Sequence, residues 1–244
     1  MSTFSDHDGS DRDSDRRSEQ GALSRLPSRF PIFPLSGAIL LPGGNLPLNI
    51  FEPRYLQMIK DARRGDGIIG MIQPCGGAGG DGPGGDGPGG GSEDEPSLYP
   101  VGCAGQITNC ETTEDGRNLI TLTGLCRFDI AEELTVATPY RQVIADFDPW
   151  QGDLEPQSAP DTLRPHLVTA LRRYFAVHDI SVDWKQIERA PLSGLLTSLA
   201  MICPFEPPEK QALLETPDSA ELGRTLVALL KMGTLASDDC SARH

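Results

Sequence analysis

Apolar positions recur with two different periods along this chain, and the change of period divides it in two. Between residues 29 and 150 they alternate with polar positions in short stretches, which predicts β-strands. From Pro160 onward they recur every three or four residues, which predicts α-helices. The pattern therefore favours an α+β protein in which a β-rich part precedes a helical part.

The β-rich part contains several short strands and one helix. The helix should begin at Pro53, bury Tyr55, Ile59 and Ala62 on one face, and end near Gly65. Asp115 and Gly116 form a strong hairpin signal. Strands are predicted near residue 30, around Leu46, Leu48 and Ile50, and at residues 67–73, 101–110, 118–123, 125–130 and 140–147. Many short strands around a single helix are typical of a barrel or a sandwich.

The helical part should contain four helices. An amphipathic stripe of Leu163, Leu167, Leu171 and Tyr174 marks the first. In the last, Asp218 and Glu221 occupy the positions of a capping box, and Gly233 is predicted to end the helix. The second and third helices are predicted at residues 192–202 and 207–215.

Three stretches lack side chains that could form a core. Residues 1–28 mix Asp, Ser and Arg and are expected to be a disordered tail. Residues 76–96 are rich in Gly and acidic residues and are expected to be a disordered insert. The folded regions are then a barrel subdomain at residues 29–150 and a helical subdomain at residues 160–236, followed by a tail at 237–244.

The formal net charge of −14 argues against nucleic acid and against anionic membrane surfaces as partners. It is compatible with basic or apolar peptides. The first 28 residues contain no apolar run of the kind found in a signal peptide, and no stretch is long enough for a membrane span. The expected compartment is therefore the cytoplasm.

The sequence offers no catalytic, cofactor or metal motif. It has no G-x-x-x-x-G-K-[ST] phosphate loop, and neither His166 nor His178 has a suggested nucleophile partner. The six cysteines form no C-x-x-C pair; Cys103, Cys110 and Cys126 could meet on neighbouring strands, but no fourth metal ligand is suggested. We expect free thiols, no cofactor, no metal and no enzymatic activity.

Three stretches together resemble one known family. They are residues 33–55 (with FPL and NIFEPRY), residues 101–128 (with VG and GLCRF) and residues 199–215 (with LAMICPF and EKQALLE). In this order they are similar to the substrate-binding domain at the N-terminus of Lon proteases, which also occurs as a stand-alone protein. A full Lon protease continues into an ATPase module and a peptidase module, and we expect neither within these 244 residues.

The resemblance implies a PUA-like β pseudo-barrel followed by a helical bundle. It also implies a non-catalytic protein that binds unfolded or damaged polypeptides, or recruits them in protein quality control, with a protease or chaperone as a candidate further partner. Three alternatives stay open: a regulatory interaction protein for a protease or chaperone, an RNA-binding PUA-like protein, and a small-molecule hydrolase.

The predicted polypeptide-binding surface is the junction of barrel and helix at Leu41, Phe51, Glu52, Arg54 and Tyr55. The apolar run at residues 39–42 is expected to be exposed, because Pro42 and Gly43 make it hard to place in regular structure. A structural interpretation stays open as well, in which Tyr55 packs the helix onto the barrel and Glu52 and Arg54 hold loops. Arg127 beside Phe128 is interpreted as a structural partner rather than a ligand-binding residue.

Overall fold

A computed structural model describes residues 26–75 and 96–241 of the chain, with side chains up to Leu235 in the last helix. The predicted N-terminal tail up to residue 25 and the Gly-rich insert from 76 to 95 lie outside the described residues. The strands are β1 (Arg29–Pro34), β2 (Asn45–Ile50), β3 (Ile68–Ile72), β4 (Val101–Thr112), β5 (Asn118–Leu134) and β6 (Gln142–Asp146). The helices are α1 (Pro53–Ala62), α2 (Leu163–Val177), α3 (Trp184–Arg189), α4 (Leu192–Ile202), α5 (Pro207–Leu214) and α6 (Ser219–Ser241), with a 3₁₀ segment at Asp148–Leu154.

The six strands form one sheet in the order β2-β5-β4-β3-β1-β6. Strand β6 also pairs with β5, so the sheet curls back on itself into a barrel. The first half of β5 pairs with β2 and its second half pairs with β6. This barrel followed by a group of helices confirms the predicted α+β class.

Strand β5 differs from its prediction. Two strands were expected at residues 118–123 and 125–130, but the chain forms one continuous strand of 17 residues. Gly124 lies inside it, paired with β4 near a register shift at Ala104 and Gly105. A glycine inside a strand often marks a close approach of other backbone rather than the end of the strand, and the loop described below makes that approach.

Two apolar cores result from this arrangement. One lies within the barrel, where the rings of Phe30 and Phe128 meet edge to face with centroids 5.1 Å apart. The larger one joins one side of the barrel to α1 and to the helical bundle. The bundle is thus fixed to the barrel by a continuous apolar interface, which sets the position of the clefts between them.

The helices follow the apolar period, with two corrections at their ends. The Asp218 carboxylate accepts the N–H of Glu221 at 2.8 Å, as the capping prediction requires. Helix α6, however, runs through Gly233 to Ser241, so the predicted end at Gly233 is wrong. A Cβ at Gly233 would lie 2.9 Å from the Tyr174 ring, so this glycine provides room for packing. Helix α1, predicted to end with Gly65 as its cap, ends at Ala62 with Arg63 as the C-cap residue, and the chain adopts positive φ later, at Gly67.

Candidate functional site

The strand period places Phe51 on the surface. Leu46, Leu48 and Ile50 of β2 face the core, so the following residue continues the alternation and points outward. Its side chain is 64% exposed, which is unusual for a phenylalanine. Pro53 then occupies the first turn of α1, where its missing N–H removes no helical hydrogen bond.

Glu52, Arg54 and Tyr55 form one connected group beside Phe51. The Arg54 Nε donates to the Glu52 carboxylate at 2.9 Å, and both side chains are about half exposed. The Arg54 guanidinium lies 4.5 Å from the centre of the Tyr55 ring. We call the surface formed by Phe51, Glu52, Arg54 and the exposed edge of the Tyr55 ring the junction patch. Two of its members, Phe51 and Arg54, can contact a partner without any change in the fold.

Tyr55 itself is a core residue. It is 7% exposed, and its ring meets Phe33 of β1 edge to face at 4.4 Å. The structural interpretation of this residue is therefore the one that its geometry supports. A second contact holds the same helix, because the Tyr140 hydroxyl donates to Asp61 at 3.0 Å.

The hydrogen bond between Tyr140 and Asp61 shifts the pKa values of both side chains. Hydrogen bonds from Gln57 and Tyr140 lower the pKa of Asp61. Burial, together with the hydrogen bond to Asp61, raises the pKa of Tyr140 to about 12. The contact therefore persists throughout the neutral range and keeps α1 against the barrel.

The prediction that residues 39–42 form an exposed apolar patch is wrong for its three apolar side chains. Ile39, Leu40 and Leu41 are 2%, 1% and 4% exposed. Leu41 therefore cannot serve as an exposed anchor for a polypeptide, and a charged residue in its place would disrupt the core.

Glycines of the sheet explain how this loop is buried. Gly124 has no side chain, so the backbone of Leu41 lies directly against it, and Leu40 packs over Gly105. The Gly43 N–H donates to the Gly124 carbonyl at 2.9 Å, and the Gly124 N–H donates to the Gly44 carbonyl at 2.8 Å. The loop thus satisfies its backbone groups against β5 without being a regular strand.

A cleft lies where this loop faces the helical bundle. Its volume is about 360 Å³, at the small end of the range for ligand sites. We call it the barrel–bundle cleft. Its lining comes from the 41–43 loop, Arg127 of β5, Asp153 in the 3₁₀ segment with Glu155 and Gln157 after it, Ser193, Gly194 and Thr197 of α4, and Thr216, Asp218, Ser219 and Leu222 around the start of α6. Sequence reasoning missed this cleft, because its lining comes from five separate segments and carries no motif.

Arg127 forms the floor of the cleft and holds the two subdomains together. Its guanidinium binds both oxygens of Asp153, at 2.8 and 2.6 Å. It also donates to the carbonyls of Leu214, at 3.0 Å, and Thr216, and it stacks on the ring of Trp150 at 4.0 Å. The ion-paired side chains are only 8% and 3% exposed. These contacts agree with the structural role predicted for Arg127, and we call them the Arg127 clamp.

The cysteines are free thiols in the part of the chain whose side chains are described. Cys103 and Cys126 lie on neighbouring strands but belong to different cores. Burial raises the pKa of Cys126 to about 12 and that of Cys203 to about 11, so both are protonated at neutral pH. Within the described residues, no group of three or more His, Cys, Asp or Glu side chains is placed to hold a metal ion.

None of the helices in the described regions combines the length and the apolar composition that crossing a bilayer requires.

The family model of the ATP-dependent protease La (LON) substrate-binding domain matches residues 29–232, which include the barrel and nearly all of the bundle. The chain belongs to this family. Its three resembling stretches therefore identified the family correctly from sequence.

Among curated proteins, the chain is similar to the Lon protease of Cytophaga hutchinsonii, with 24% identity over 213 residues, covering 84% of this chain and 24% of that protein. It is 30% identical over 125 residues to Lon protease 2 of Myxococcus xanthus, covering 50% of this chain and 13% of that protein. The chain thus spans a quarter or less of the length of these relatives.

Two solved structures share the fold. The Lon N-terminal domain protein from Xanthomonas campestris aligns with a TM-score of 0.54 at 19% identity, covering 82% of this chain and 97% of that one. The N-terminal domain of the Mycobacterium avium complex Lon protease gives a TM-score of 0.54 at 17% identity, covering 83% and 97%. At these identities the likeness supports the Lon N-terminal fold alone.

Proposed function

We propose that this protein binds unfolded or damaged polypeptides through its LON substrate-binding domain and recruits them in protein quality control, without performing chemistry itself. The observation that carries the proposal is the family match across residues 29–232, to a domain described as substrate-binding. The sequence adds support, because it contains no phosphate loop through which ATP could be bound in the manner of a P-loop ATPase.

The junction patch is the surface that we propose for this binding. Unfolded chains expose apolar side chains, and Phe51 offers a large ring that is already outside the core. The neighbouring Arg54 presents a planar, partly exposed guanidinium, which can donate to the carbonyls of an extended chain. Aromatic and Arg side chains are the residue types that contribute most at protein interfaces.

The net charge weighs against the RNA-binding alternative. Affinity for RNA rests largely on basic side chains that neutralise phosphates, and this chain carries a formal charge of −14. The buried Arg127, and Arg141 with its ion pair to Glu133, are already engaged within the protein.

The test is a binding titration with a permanently unfolded probe. Fluorescein-labelled, reduced and carboxymethylated α-lactalbumin should bind the parent protein, as measured by fluorescence anisotropy. The variant Phe51→Ser should bind it about tenfold more weakly, because an aromatic anchor is lost. Leu235→Ser is the matched control, since Leu235 is 67% exposed and lies on α6 of the bundle.

Both variants should keep the thermal midpoint of the parent, because neither side chain belongs to the core. Equal weakening by both variants would show that the junction patch is not the site. Absence of binding by the parent protein would overturn the proposed function.

A further inference from the structure

The barrel–bundle cleft contains a glycine that the fold does not need. Gly194 occupies the third position of α4, where a glycine costs a helix about 1 kcal/mol relative to alanine. A Cβ at this position would meet nothing within 4 Å, and the residue is exposed. At most other glycines discussed above, the missing side chain makes room for a neighbouring residue. At Gly194 it leaves empty space in the lining of the cleft. Departures from local preference of this kind are expected where a ligand approaches.

The charges in the cleft are unbalanced. Asp153 is neutralised by Arg127 in the clamp. Glu155 and Asp218 also line the cleft, and neither forms an ion pair with any residue that the structure describes. Glu155 and Asp218, whose carboxylate also caps α6, give the lining of this small cleft a negative potential that attracts a cationic group.

The remaining lining suits a peptide rather than a free ion. Pro42, with the largely buried Leu41 and Leu222, supplies a small apolar surface, and Ser193, Thr197 and Ser219 supply hydroxyl groups. Helix α4 begins at Leu192 and its N-cap residue, Pro191, provides no side-chain cap, so N–H groups of the first turn can donate to outside acceptors. An extended polypeptide matches each of these features. Its carbonyls can accept from the N–H groups of α4, its apolar side chains can contact the apolar part of the lining, and a Lys or Arg side chain can pair with the carboxylates.

We propose that the barrel–bundle cleft binds a Lys or Arg side chain of an extended polypeptide, with the backbone of that polypeptide passing over Gly194. This inference rests on the proposed function and specifies which segments of a client the domain prefers: apolar segments that contain a basic residue. The junction patch and the cleft are then two contact points for one client chain.

The experiment compares three short labelled peptides of one apolar sequence, with a central lysine, glutamine or glutamate. Anisotropy titrations with the full chain should rank them lysine, then glutamine, then glutamate, with the difference reduced by added salt. In the double variant Glu155→Gln/Asp218→Asn the advantage of the lysine peptide over the glutamine peptide should fall by about fivefold. Asparagine at position 218 preserves the helix cap, so this variant should remain folded.

A second pair of variants tests the cleft without touching its charges. Gly194→Leu should fill the cleft and weaken all three peptides strongly, while Gly194→Ala, which adds only one methyl group, should weaken them less and melt slightly higher than the parent. The proposal is overturned by equal affinity for the three peptides, by tightest binding of the glutamate peptide, or by undiminished binding to Gly194→Leu. If any of these results occurs while the unfolded α-lactalbumin probe still binds, the proposed function stands and only the cleft assignment falls.

Discussion

Two arginine–carboxylate pairs in this protein have the same chemistry and different surroundings. Arg127 pairs with Asp153 and stacks on Trp150, and Arg54 pairs with Glu52 and stacks on Tyr55. The first pair is 8% and 3% exposed, whereas the second is 49% and 44% exposed. Burial, rather than residue type, therefore decides which arginine is structural and which can meet a partner.

The physical reason is the cost of leaving water. A buried guanidinium needs nearly all of its donors satisfied, and Arg127 achieves this with one carboxylate and two carbonyls from different segments. The exposed Arg54 can exchange its carboxylate for water or for a ligand at little cost. The predictions below exploit this contrast between the Arg127 clamp and the junction patch.

Arg127→Ala should have the largest effect. It leaves the Asp153 charge buried and two carbonyls without their donor, so the free energy of unfolding should fall by about 3–5 kcal/mol. For a chain of this size that corresponds to a drop in the melting temperature on the order of 10 °C. Differential scanning calorimetry measures it, and an unchanged melting temperature would refute the clamp.

The second largest effect should come from alkaline pH, which should lower the free energy of unfolding through Cys126, the residue before Arg127. The pKa of Cys126 is raised to about 12, by burial and by the charge of Asp153, from its ordinary value of 9.0. Between these pH values the unfolded chain loses a proton that the folded chain keeps. The contribution of this thiol to stability is therefore fully present below pH 9 and declines as pH rises toward 12. Cys203 and Tyr140, with pKa values of about 11 and 12, change stability in the same direction.

Urea denaturation at a series of pH values checks this decline. The free energy of unfolding should be flat between pH 7 and 8.5 as far as these groups are concerned, and should fall above pH 9. In the variant Cys126→Ala the fall should be shallower than in the parent. A slope that is identical in the two proteins would contradict the burial of this thiol.

Arg54→Ala should have the smallest effect on stability. Exposed pairs contribute about 0–1 kcal/mol, so the melting temperature should stay within a few degrees of the parent value. Binding of the unfolded probe should nevertheless weaken, because the junction patch loses its exposed guanidinium. A loss of stability similar to that of Arg127→Ala would erase the contrast between the two pairs.

Local patterns predicted most of the helices, and long-range contacts account for the errors. The capping by Asp218 and the buried face of α1 depend on neighbours in sequence, so they could be read from the chain. The burial of Leu41 depends on Gly124, which is more than 80 residues away, and no local rule connects the two. Gly233 was interpreted as a helix end for the same reason, since its packing partner Tyr174 is distant in sequence.

The candidate site was predictable only in part. Alternation along β2 already places Phe51 outward, and this signal was available in the sequence. The barrel–bundle cleft could not be predicted from the sequence, because it forms only when the sheet closes and the bundle packs against it. A glycine in the first turn of a helix, such as Gly194, and one inside a strand, such as Gly124, were the two clues that sequence reasoning could have weighed more heavily.

The most direct test of the central claim compares one client in its folded and unfolded forms. Labelled α-lactalbumin, either native or reduced and carboxymethylated, is titrated with the full chain in the absence of nucleotide, and the samples are then examined by mass spectrometry. We expect binding of the unfolded form, much weaker binding of the native form, and recovery of both clients intact. Equal affinity for the two forms, no binding of either, or cleavage of the client would contradict it.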